Sequence, residues 1–478
     1  MKIRYQLSLA ALAGLALIAA RPNDQARGKG GRGGGAAVEP AVVPSYPFNV
    51  WLCRPGANSV TASVIAWSPM EAYISYGESE AALTQRTATI QLLSGEPKSL
   101  VLEKLKPDTS YVYQLNYRHV GGEAQHDKLC HFHTQRAPAS AFTFTIQADS
   151  HLDVSTDSKV YEQTIANERA DNPDFMVDLG DTMMVDKFGS AYTNAESQYL
   201  AQRYYMGQVA HSTPVFLTLG NHDGEVGSRL TGQPDSMPLF SVNMRKKFFP
   251  NPEPGGIYTG NAKPQEGAGL LQDYYAWEWG GALLVVLDPF WYTRERKGSD
   301  NWGMTLGDDQ YQWLTKTLEN SKAPFKFIFV HHLVGGVGRD ARGGVNTAPF
   351  MEWGGKNADG SDGFAQHRPN WKMPIHQLFV KNGVSAVFHG HDHLFAKEEL
   401  DGIVYQDVPQ PSNPSGGTRS AEEYGYTGVI LGSSGHLRVT VDPKQATVEY
   451  VRASVSGLTR ERGENGSIAH RYTLAPRP

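Results

Sequence analysis

The sequence predicts a mixed α/β protein in which an all-β sandwich domain precedes a larger domain of alternating strands and helices. From Ala141 onward, apolar strand-like runs alternate with helical patterns, as in stacked βαβ units. Between residues 45 and 136, short strands follow one another with no helical pattern between them, which is typical of a β-sandwich. The chain has 478 residues, 40% of them hydrophobic, enough to bury the cores of two domains.

The predicted sandwich domain, residues 45–136, consists of runs that alternate apolar and polar residues between turn residues. The predicted strands are Val60–Ala66, Ala72–Tyr76, Ala88–Leu93, Ser99–Leu102, Ser110–Tyr117 and Leu129–Thr134. Both cysteines of the chain, Cys53 and Cys130, lie in this domain. In an oxidising compartment we expect a disulfide between them, with two buried thiols as the alternative.

The residues before this domain predict export. Lys2 and Arg4 precede an apolar run from Leu7 to Ala20, which is short and alanine-rich for a transmembrane span. Residues 1–20 are therefore predicted to be a signal peptide, with an uncleaved anchor as the alternative, and the protein to be periplasmic or secreted. The glycine-rich residues 21–44 predict a flexible linker.

The charge of the chain bears on its partners. The net charge is -5 and the pI is near 6.4, so the sequence supplies no general basic surface. A nucleic-acid or anionic-membrane partner is therefore not expected. We expect a small substrate and, after signal cleavage, no integral membrane span.

Five clusters of metal-type ligands follow predicted strands in the larger domain. They are Asp149-Ser-His151, Gly180-Asp181, Gly220-Asn-His-Asp223, His331-His332 and His389-Gly-His-Asp-His393. Because α/β sheets place their chemistry at the carboxyl ends of strands, we expect these side chains to meet. Mixed carboxylate, amide and imidazole ligands suit Fe, Mn or Zn, and the lack of cysteine argues against a closed structural zinc site.

The order of these motifs resembles the calcineurin-like metallophosphoesterase superfamily over roughly residues 140–455. The resemblance implies that residues 141–455 form an αββα sandwich, two facing sheets flanked by helices, followed by a C-terminal tail, 456–478. It also implies two divalent or trivalent metal ions and hydrolysis of phosphate esters by metal-activated water.

The same resemblance assigns roles to residues. The first metal would be held by Asp149, His151 and His393. The second would be held by Asn221, His331 and His391, and Asp181 would bridge the two. His222 would bind the phosphoryl oxygen or protonate the leaving group, with Asp223 as a possible partner on the same turn.

Several polar residues near the motifs receive other predictions. His331 rather than His332 is the expected ligand, because the ligand usually opens this pair in the superfamily. His389 is expected to be a hydrogen-bonded core or supporting histidine. The remaining carboxylates are expected to be solvated or to cap turns, namely Asp153, Asp178 and Asp186.

The chain departs from two branches of the superfamily at Met184. In purple acid phosphatases that position is a tyrosine and the first motif has no histidine, whereas this chain has His151. The tyrosinate–iron colour of those enzymes is therefore not expected. In Ser/Thr phosphoprotein phosphatases the position is an aspartate that orients the catalytic histidine, so the sequence leaves open how His222 is held.

Two long segments, residues 224–271 and 333–371, follow ligand motifs and are expected to overhang the metals. In the second segment, Arg339 and Arg342 are candidates for binding phosphate or the leaving group. Further candidates in the same segment are Trp353, His367 and Arg368.

Three functions compete at this stage. An exported phosphatase acting on phosphomonoesters is favoured, because the segment Leu105–Tyr111 is similar to a pattern in fibronectin type III modules and in the amino-terminal domain of purple acid phosphatases. The second is a phosphodiesterase for cyclic nucleotides or lipid headgroups, which the ligand set does not separate from the first. The third is a surface-binding protein with a degenerate phosphoesterase domain. A complete ligand set argues against it, because unpaired buried ligands are costly.

Overall fold

The structure, a computed structural model, describes residues 43–294, 301–335, 341–460 and 463–477. These residues belong to one compact unit. The predicted signal peptide, nearly all of the predicted linker, and Arg339 lie outside the described residues. In the part of the chain that is described, every helix is too short or too polar to cross a membrane.

The amino-terminal region is a β-sandwich, as predicted. Its strands are β1 Phe48–Cys53, β2 Val60–Ala66, β3 Met70–Gly77, β4 Gln85–Arg86, β5 Ile90–Leu92, β6 Lys98–Leu102, β7 Ser110–His119, β8 Ala124–His126 and β9 Cys130–His133. One sheet has the order β1-β2-β6, and the other has the order β4-β3-β7-β8, with β5 on β3 and β9 on β7. Alternate residues such as Val64 and Ile74 fill the core between them. Likeness to fibronectin type III modules stays a prediction.

The predicted disulfide is wrong, because both thiols are free and buried. Cys53 points out of the sandwich and packs with Trp51 against helices of the larger domain. Cys130 instead lies in the sandwich core. The two thiols therefore belong to different cores. Burial raises the pKa of each to about 11, so both stay protonated at neutral pH.

The larger domain contains two sheets. The strands of the first are β10 Phe142–Gln147, β11 Phe175–Asp178, β12 Val215–Leu217, β21 Gly435–Val441, β22 Ala446–Arg452 and β23 Ile468–Leu474, in the order β12-β11-β10-β21-β22-β23. The strands of the second are β13 Thr259–Gly260, β14 Tyr275–Trp279, β15 Ala282–Val286, β16 Phe325–Phe329, β17 Ala386–His389, β18 Phe395–Leu400, β19 Ile403–Asp407 and β20 Val429–Leu431, in the order β13-β14-β15-β16-β17-β19-β18-β20. The first sheet continues past residue 455, where the sequence predicts only a tail.

Helices cover the outer face of each sheet, which confirms the αββα prediction. The helices are α1 Ser158–Ala170, α2 Glu196–Ala210, α3 Met237–Phe248, α4 Gly307–Asn320, α5 Met351–Gly354, α6 Phe364–His367 and α7 Ile375–Lys381. Aromatic side chains from both sheets, among them Phe144, Phe175 and Phe327, form the central core. Helices α1 and α2 pack on the first sheet, and α4 and α7 pack on the second.

The sandwich is joined to the larger domain through α2. Arg203 of this helix is fully buried and donates hydrogen bonds to Asn49 Oδ1 at 2.7 Å, to Ser63 O at 2.6 Å and to Phe248 O. Its guanidinium carbon lies 5.4 Å from the centre of the Trp51 ring. Neutral acceptors thus satisfy the charge, while burial lowers the pKa of Arg203 to about 10.

Strand direction brings the ligand motifs together. β10, β11 and β12 are mutually parallel, so the residues that follow them share one edge of the first sheet. β16 and β17 are parallel neighbours in the second sheet, and their following residues share its edge. Because the two sheets pack face to face, the motifs of both sheets meet at one end of the domain.

Candidate metal centre

A first group of ligand atoms is formed by Asp149, His151 and His393, whose donor atoms all lie within 4.8 Å of one another. Asp149 Oδ1 lies 3.4 Å from His393 Nε2 and 3.8 Å from His151 Nε2. The other oxygen of Asp149 accepts a hydrogen bond from the backbone N–H of His391 at 2.9 Å. That bond ties the first strand-end turn to the loop that carries the last two histidines.

A second group is formed by Asp181, His331 and His391, which are buried and meet the same distance limit. His331 Nδ1 lies 2.9 Å from the carbonyl oxygen of Leu179, so Nδ1 carries the proton and Nε2 is left for a metal. Asn221 Oδ1 lies 3.1 Å from that Nε2. The four residues predicted for the second metal and the bridge are therefore brought together.

Asp181 lies between the two groups. Its Oδ2 is 3.3 Å from His331 Nε2 in the second group and 3.9 Å from His151 Nε2 in the first. Its Oδ1 accepts the backbone N–H of His222 at 2.7 Å. One carboxylate oxygen can thus face both groups while the other fixes the turn after β12.

The backbone of these turns is unusual. Five of the grouped residues have a positive φ, which non-glycine residues rarely adopt, namely Asp149 (60°), His151 (50°), Asp181 (53°), His391 (79°) and His393 (61°). Such angles cost free energy that the surrounding structure must offset. These strained angles are concentrated in the strand-end turns that carry the ligand groups.

The donor set fits a pair of transition-metal ions. Asp149 Oδ1 and both ring nitrogens of His151 are buried without a hydrogen bond to any described residue. Leaving such atoms unsatisfied is costly, whereas a cation between Asp149 Oδ1 and His151 Nε2 would satisfy those two atoms. His151 Nδ1 lies on the other side of the ring, 3.5 Å from the carboxylate of Asp153. Each group combines one carboxylate with two imidazoles and contains no cysteine, a ligand set that suits Fe, Mn or Zn.

The pKa shifts of two histidines in the cluster also favour a metal site. Burial alone would lower the pKa of His151, but the carboxylates of Asp149 and Asp153 outweigh it and raise the pKa to about 10. The carboxylates of Asp181 and Asp149 likewise outweigh burial and raise the pKa of His331 to about 9. The buried carboxylates are therefore stabilised by positive charge beside them, which either protonated histidines or metal ions can supply.

His222 stands beside the two groups with a partner that the sequence did not reveal. Its Nδ1 lies 2.9 Å from Asp186 Oδ1, and because a carboxylate only accepts, Nδ1 carries the proton. Asp186 Oδ2 accepts a second bond from Arg229 at 3.2 Å. His222 Nε2 then faces the metal groups, 3.9 Å from Asp181 Oδ2.

Asp223, predicted as a possible partner of His222, does something else. Its carboxylate is buried and accepts four backbone N–H groups, those of Asp181, Thr182, Met183 and Gly220, at 2.6–3.0 Å. It therefore clamps the turn after β11 to the turn after β12. The pairing prediction was wrong because adjacent side chains on this tight turn point in different directions.

The carboxylates predicted to be solvated or capping are partly buried or buried, and they support the site. Asp153 Oδ2 lies 3.5 Å from His151 Nδ1 and orients that ring. Asp178 accepts from Gln147, the Thr182 hydroxyl and the Gly180 N–H, which stabilises the turn that holds Asp181. Asp178 and Asp153 also cap turns, as predicted, by accepting the N–H groups of Gly180 and Ser155. The support that Asp153 gives to His151 is a further role that the sequence analysis missed.

Two further histidines lie near the groups but outside them. His332 packs its ring edge-on against Phe290, with centres 5.0 Å apart. His389 is buried, and its Nδ1 lies 3.7 Å from Asp407. His331 is thus the member of its pair that joins the ligand atoms.

Arg342 is held by the loop that carries His391 and His393. One of its terminal nitrogens donates to the carbonyl oxygen of His391 at 2.5 Å and to Asp392 Oδ1 at 2.8 Å. It therefore stabilises the loop that carries His391 and His393. Two of the other candidates are also engaged, since Arg368 pairs with Glu352 at 2.7 Å and Trp353 is fully buried.

A protein-family model matches most of the larger domain. The family model of calcineurin-like phosphoesterases matches residues 142–395, more than half of the chain. No curated protein shows a significant match.

Two solved structures share the fold over most of the chain. The structure of PhoD is 14% identical, covers 91% of this chain and 92% of its own, and has a TM-score of 0.62. The purple acid phosphatase PPD1 from yellow lupin (Lupinus luteus) seeds is 14% identical, covers 90% of this chain and 74% of its own, and has a TM-score of 0.58. Both alignments are long enough to include most of the amino-terminal sandwich as well as the larger domain.

Proposed function

The chain belongs to the calcineurin-like phosphoesterase family and is a metal-dependent phosphoric ester hydrolase, and we propose that it hydrolyses phosphomonoesters at a dinuclear centre outside the cytoplasm. One observation carries the proposal: a single carboxylate, Asp181, lies between two ligand groups, with the imidazole of His222 beside it. A site of this kind can hold two ions on one side of a phosphoryl group and offer a proton from the other.

The ligand assignment follows the two groups. Asp149, His151 and His393 would hold the first ion. Asn221, His331 and His391 would hold the second, and Asp181 would contact both. Bound there, the ions would activate water and offset the negative charge of the phosphoryl oxygens.

His222 has the geometry of a general acid. Its Nδ1 proton is committed to Asp186, which fixes the ring and leaves Nε2 towards the ligand groups. A protonated Nε2 can donate to the departing alkoxide of the substrate, a step worth about 10²–10⁴-fold in rate. Its side chain is 23% exposed, more than that of His151 or His331, so a substrate can reach it.

Asp223 and Arg342 act in this proposal as positioning residues. Asp223 holds the turns of Asp181 and Asn221 in register through four N–H groups. Arg342 fixes the carbonyl oxygen of His391 and the carboxylate of Asp392. Neither is expected to contact the phosphoryl group, and Arg339 remains a predicted substrate contact outside the described residues.

A preference for monoesters is supported by the comparison with an acid phosphatase. The alignment with PPD1, whose name gives it as a purple acid phosphatase, extends over both parts of this chain. Export is supported by residues 1–20 of the sequence, which resemble a signal peptide. A degenerate domain is disfavoured, because a dead site has no physical reason to keep so many buried donor atoms converging without partners.

The proposal is tested by metal analysis coupled to kinetics. Elemental analysis of the purified protein should find two transition-metal ions per chain. The rate on 4-nitrophenyl phosphate should exceed the rate on bis(4-nitrophenyl) phosphate, which has the same leaving group. A faster diester rate would favour a phosphodiesterase, and two bound metals with no turnover of either ester would favour a binding protein.

A further inference from the structure

A cavity of about 480 Å³ opens beside the first ligand group. Its wall includes His393, whose side chain is 32% exposed, whereas that of His331 is fully buried. His393 is thus a ligand through which the first metal group borders this open space. A ligand pocket of this size accommodates a small molecule.

The rim of this cavity is a fixed segment rather than a loose loop. It runs from Gln410 to Tyr426, between β19 and β20. At its start, Gln410 Nε2 donates to the carbonyl oxygen of Asp149, and the Ser412 hydroxyl donates to that of Ser150, both at 2.8 Å. At its end, the Tyr426 hydroxyl donates to Asp392 at 2.7 Å. Both ends of the segment are therefore attached to metal motifs.

The charges that line the cavity divide into two kinds. Asp392 is saturated by Arg342, by the N–H of Gly343 and by Tyr426, so this ion pair has little to offer a ligand. Arg419 and Glu423 also line the cavity, and both are exposed. Neither side chain makes a hydrogen bond or an ion pair with any described residue.

We propose that this cavity binds the alcohol part of the substrate and that this alcohol carries two charges, a carboxylate that faces Arg419 and an ammonium group that faces Glu423. A phosphorylated hydroxy amino acid has this chemistry. The inference rests on the proposed phosphoesterase function and deepens it. One unpaired cation and one unpaired anion in a single polar cavity, next to a metal ligand, match a zwitterion better than either charge alone.

The test uses four phosphomonoesters of similar size. Phosphoserine carries both charges on its alcohol, 3-phosphoglycerate carries only the carboxylate, phosphoethanolamine carries only the ammonium group, and glycerol 3-phosphate carries neither. For each substrate, kcat/KM of the Arg419→Gln and Glu423→Gln variants is divided by the wild-type value. This ratio cancels the intrinsic reactivity of each leaving group.

We expect a crossed pattern. Arg419→Gln should lower kcat/KM about two- to fivefold for phosphoserine and 3-phosphoglycerate only, because exposed ion pairs are worth little each. Glu423→Gln should lower it by a similar factor for phosphoserine and phosphoethanolamine only. Both effects should shrink at high salt. The matched control Arg86→Gln, an exposed arginine in the sandwich, should change none of the four ratios.

Other outcomes overturn the inference in distinguishable ways. If the wild type hydrolyses glycerol 3-phosphate but either variant acts equally on all four esters, or on none, the zwitterion site is wrong and the phosphoesterase function stands. If only Arg419→Gln shows a selective effect, the cavity recognises an anion and the proposal is also wrong. If the wild type hydrolyses 4-nitrophenyl phosphate but none of the four, the alcohol site is wrong and the monoesterase function stands. If it hydrolyses neither the four nor 4-nitrophenyl phosphate, the proposed monoesterase function itself fails.

Discussion

The metal centre and the contact between the two domains both bury charge, but they satisfy it in different ways. At the contact, the guanidinium of Arg203 is surrounded by acceptors that protein atoms supply, among them Asn49 and Ser63. At the metal centre, Asp149 Oδ1 and His151 Nε2 lie 3.8 Å apart, and neither has a hydrogen-bond partner among the described residues. A buried charge whose hydrogen-bond partners are all protein atoms stabilises the fold. Buried polar atoms that lack such partners are instead available to bind a ligand.

The difference predicts which substitutions affect metal binding. The largest effect is expected for Asp181→Asn, because this carboxylate lies between both ligand groups. The variant should lose metal at both sites and, with it, essentially all turnover. Asn221→Ala is the matched comparison, and it should mainly empty the second site. Elemental analysis checks both, and two metals per chain with full activity in Asp181→Asn would exclude the bridging role.

The next largest effect is expected for His222→Ala, which leaves both ligand groups intact. Because an alkoxide leaving group needs a proton and a nitrophenolate needs it far less, kcat should fall about 10²–10⁴-fold on alkyl phosphates and much less on 4-nitrophenyl phosphate. Steady-state kinetics on the two substrate classes provide the measurement. An equal loss on both would indicate phosphoryl-oxygen stabilisation instead, and loss of metal would make His222 a ligand.

A smaller effect of the same kind is expected for Asp186→Asn. This carboxylate lies 2.9 Å from His222 Nδ1 and fixes the ring without touching the ligand groups. Partners that orient an imidazole are typically worth about 10–100-fold. The variant should keep both metals and show the same dependence on leaving group as His222→Ala, only weaker. A uniform loss on both substrate classes would show that Asp186 supports the fold and not the proton transfer.

The ligand clusters were predictable from the sequence because they follow buried strands. A ligand after a strand of an α/β sheet must lie at a sheet edge, so Asp149, Asp181 and His331 could be brought together without knowing the fold in detail. The packing of helices on both sheets was predictable for a similar reason, since the pattern of Gly307–Asn320 is amphipathic.

The contact between Asp186 and His222 was not predictable from the sequence. Asp186 reaches His222 across 36 residues, because Met184 adopts a left-handed backbone with φ of 49° and starts a 3₁₀ segment in a new direction. No spacing rule encodes such a turn. Asp223 was misassigned for the opposite reason, since closeness in sequence did not bring its carboxylate to the ring. The thiols of Cys53 and Cys130 failed to pair because the sandwich contributes to two cores.

The incomplete charge of the metal centre also predicts a pH dependence. In the metal-free chain, neighbouring carboxylates raise the pKa of His151 to about 10 and that of His331 to about 9, so both rings are protonated at pH 7. Metal binding must displace these protons, so affinity should rise with pH up to about 9, by about tenfold per unit for each proton released. Titration calorimetry in buffers of different ionisation enthalpy measures the release. A binding enthalpy that is the same in every buffer would contradict it.

The smallest effect on turnover is expected at the domain contact. Arg203→Ala removes several hydrogen bonds from a charged donor and leaves the carbonyl oxygens of Ser63 and Phe248 without this donor. The free energy of unfolding should therefore fall by about 3 kcal/mol. Because neither Ser63 nor Phe248 belongs to the ligand groups, the folded variant should keep its two metals and its kcat. Chemical denaturation measures the first quantity, and metal analysis with kinetics below the unfolding transition measures the second. Loss of metal in folded Arg203→Ala would mean that the contact and the centre are coupled, and that a fully satisfied buried charge can also serve the site.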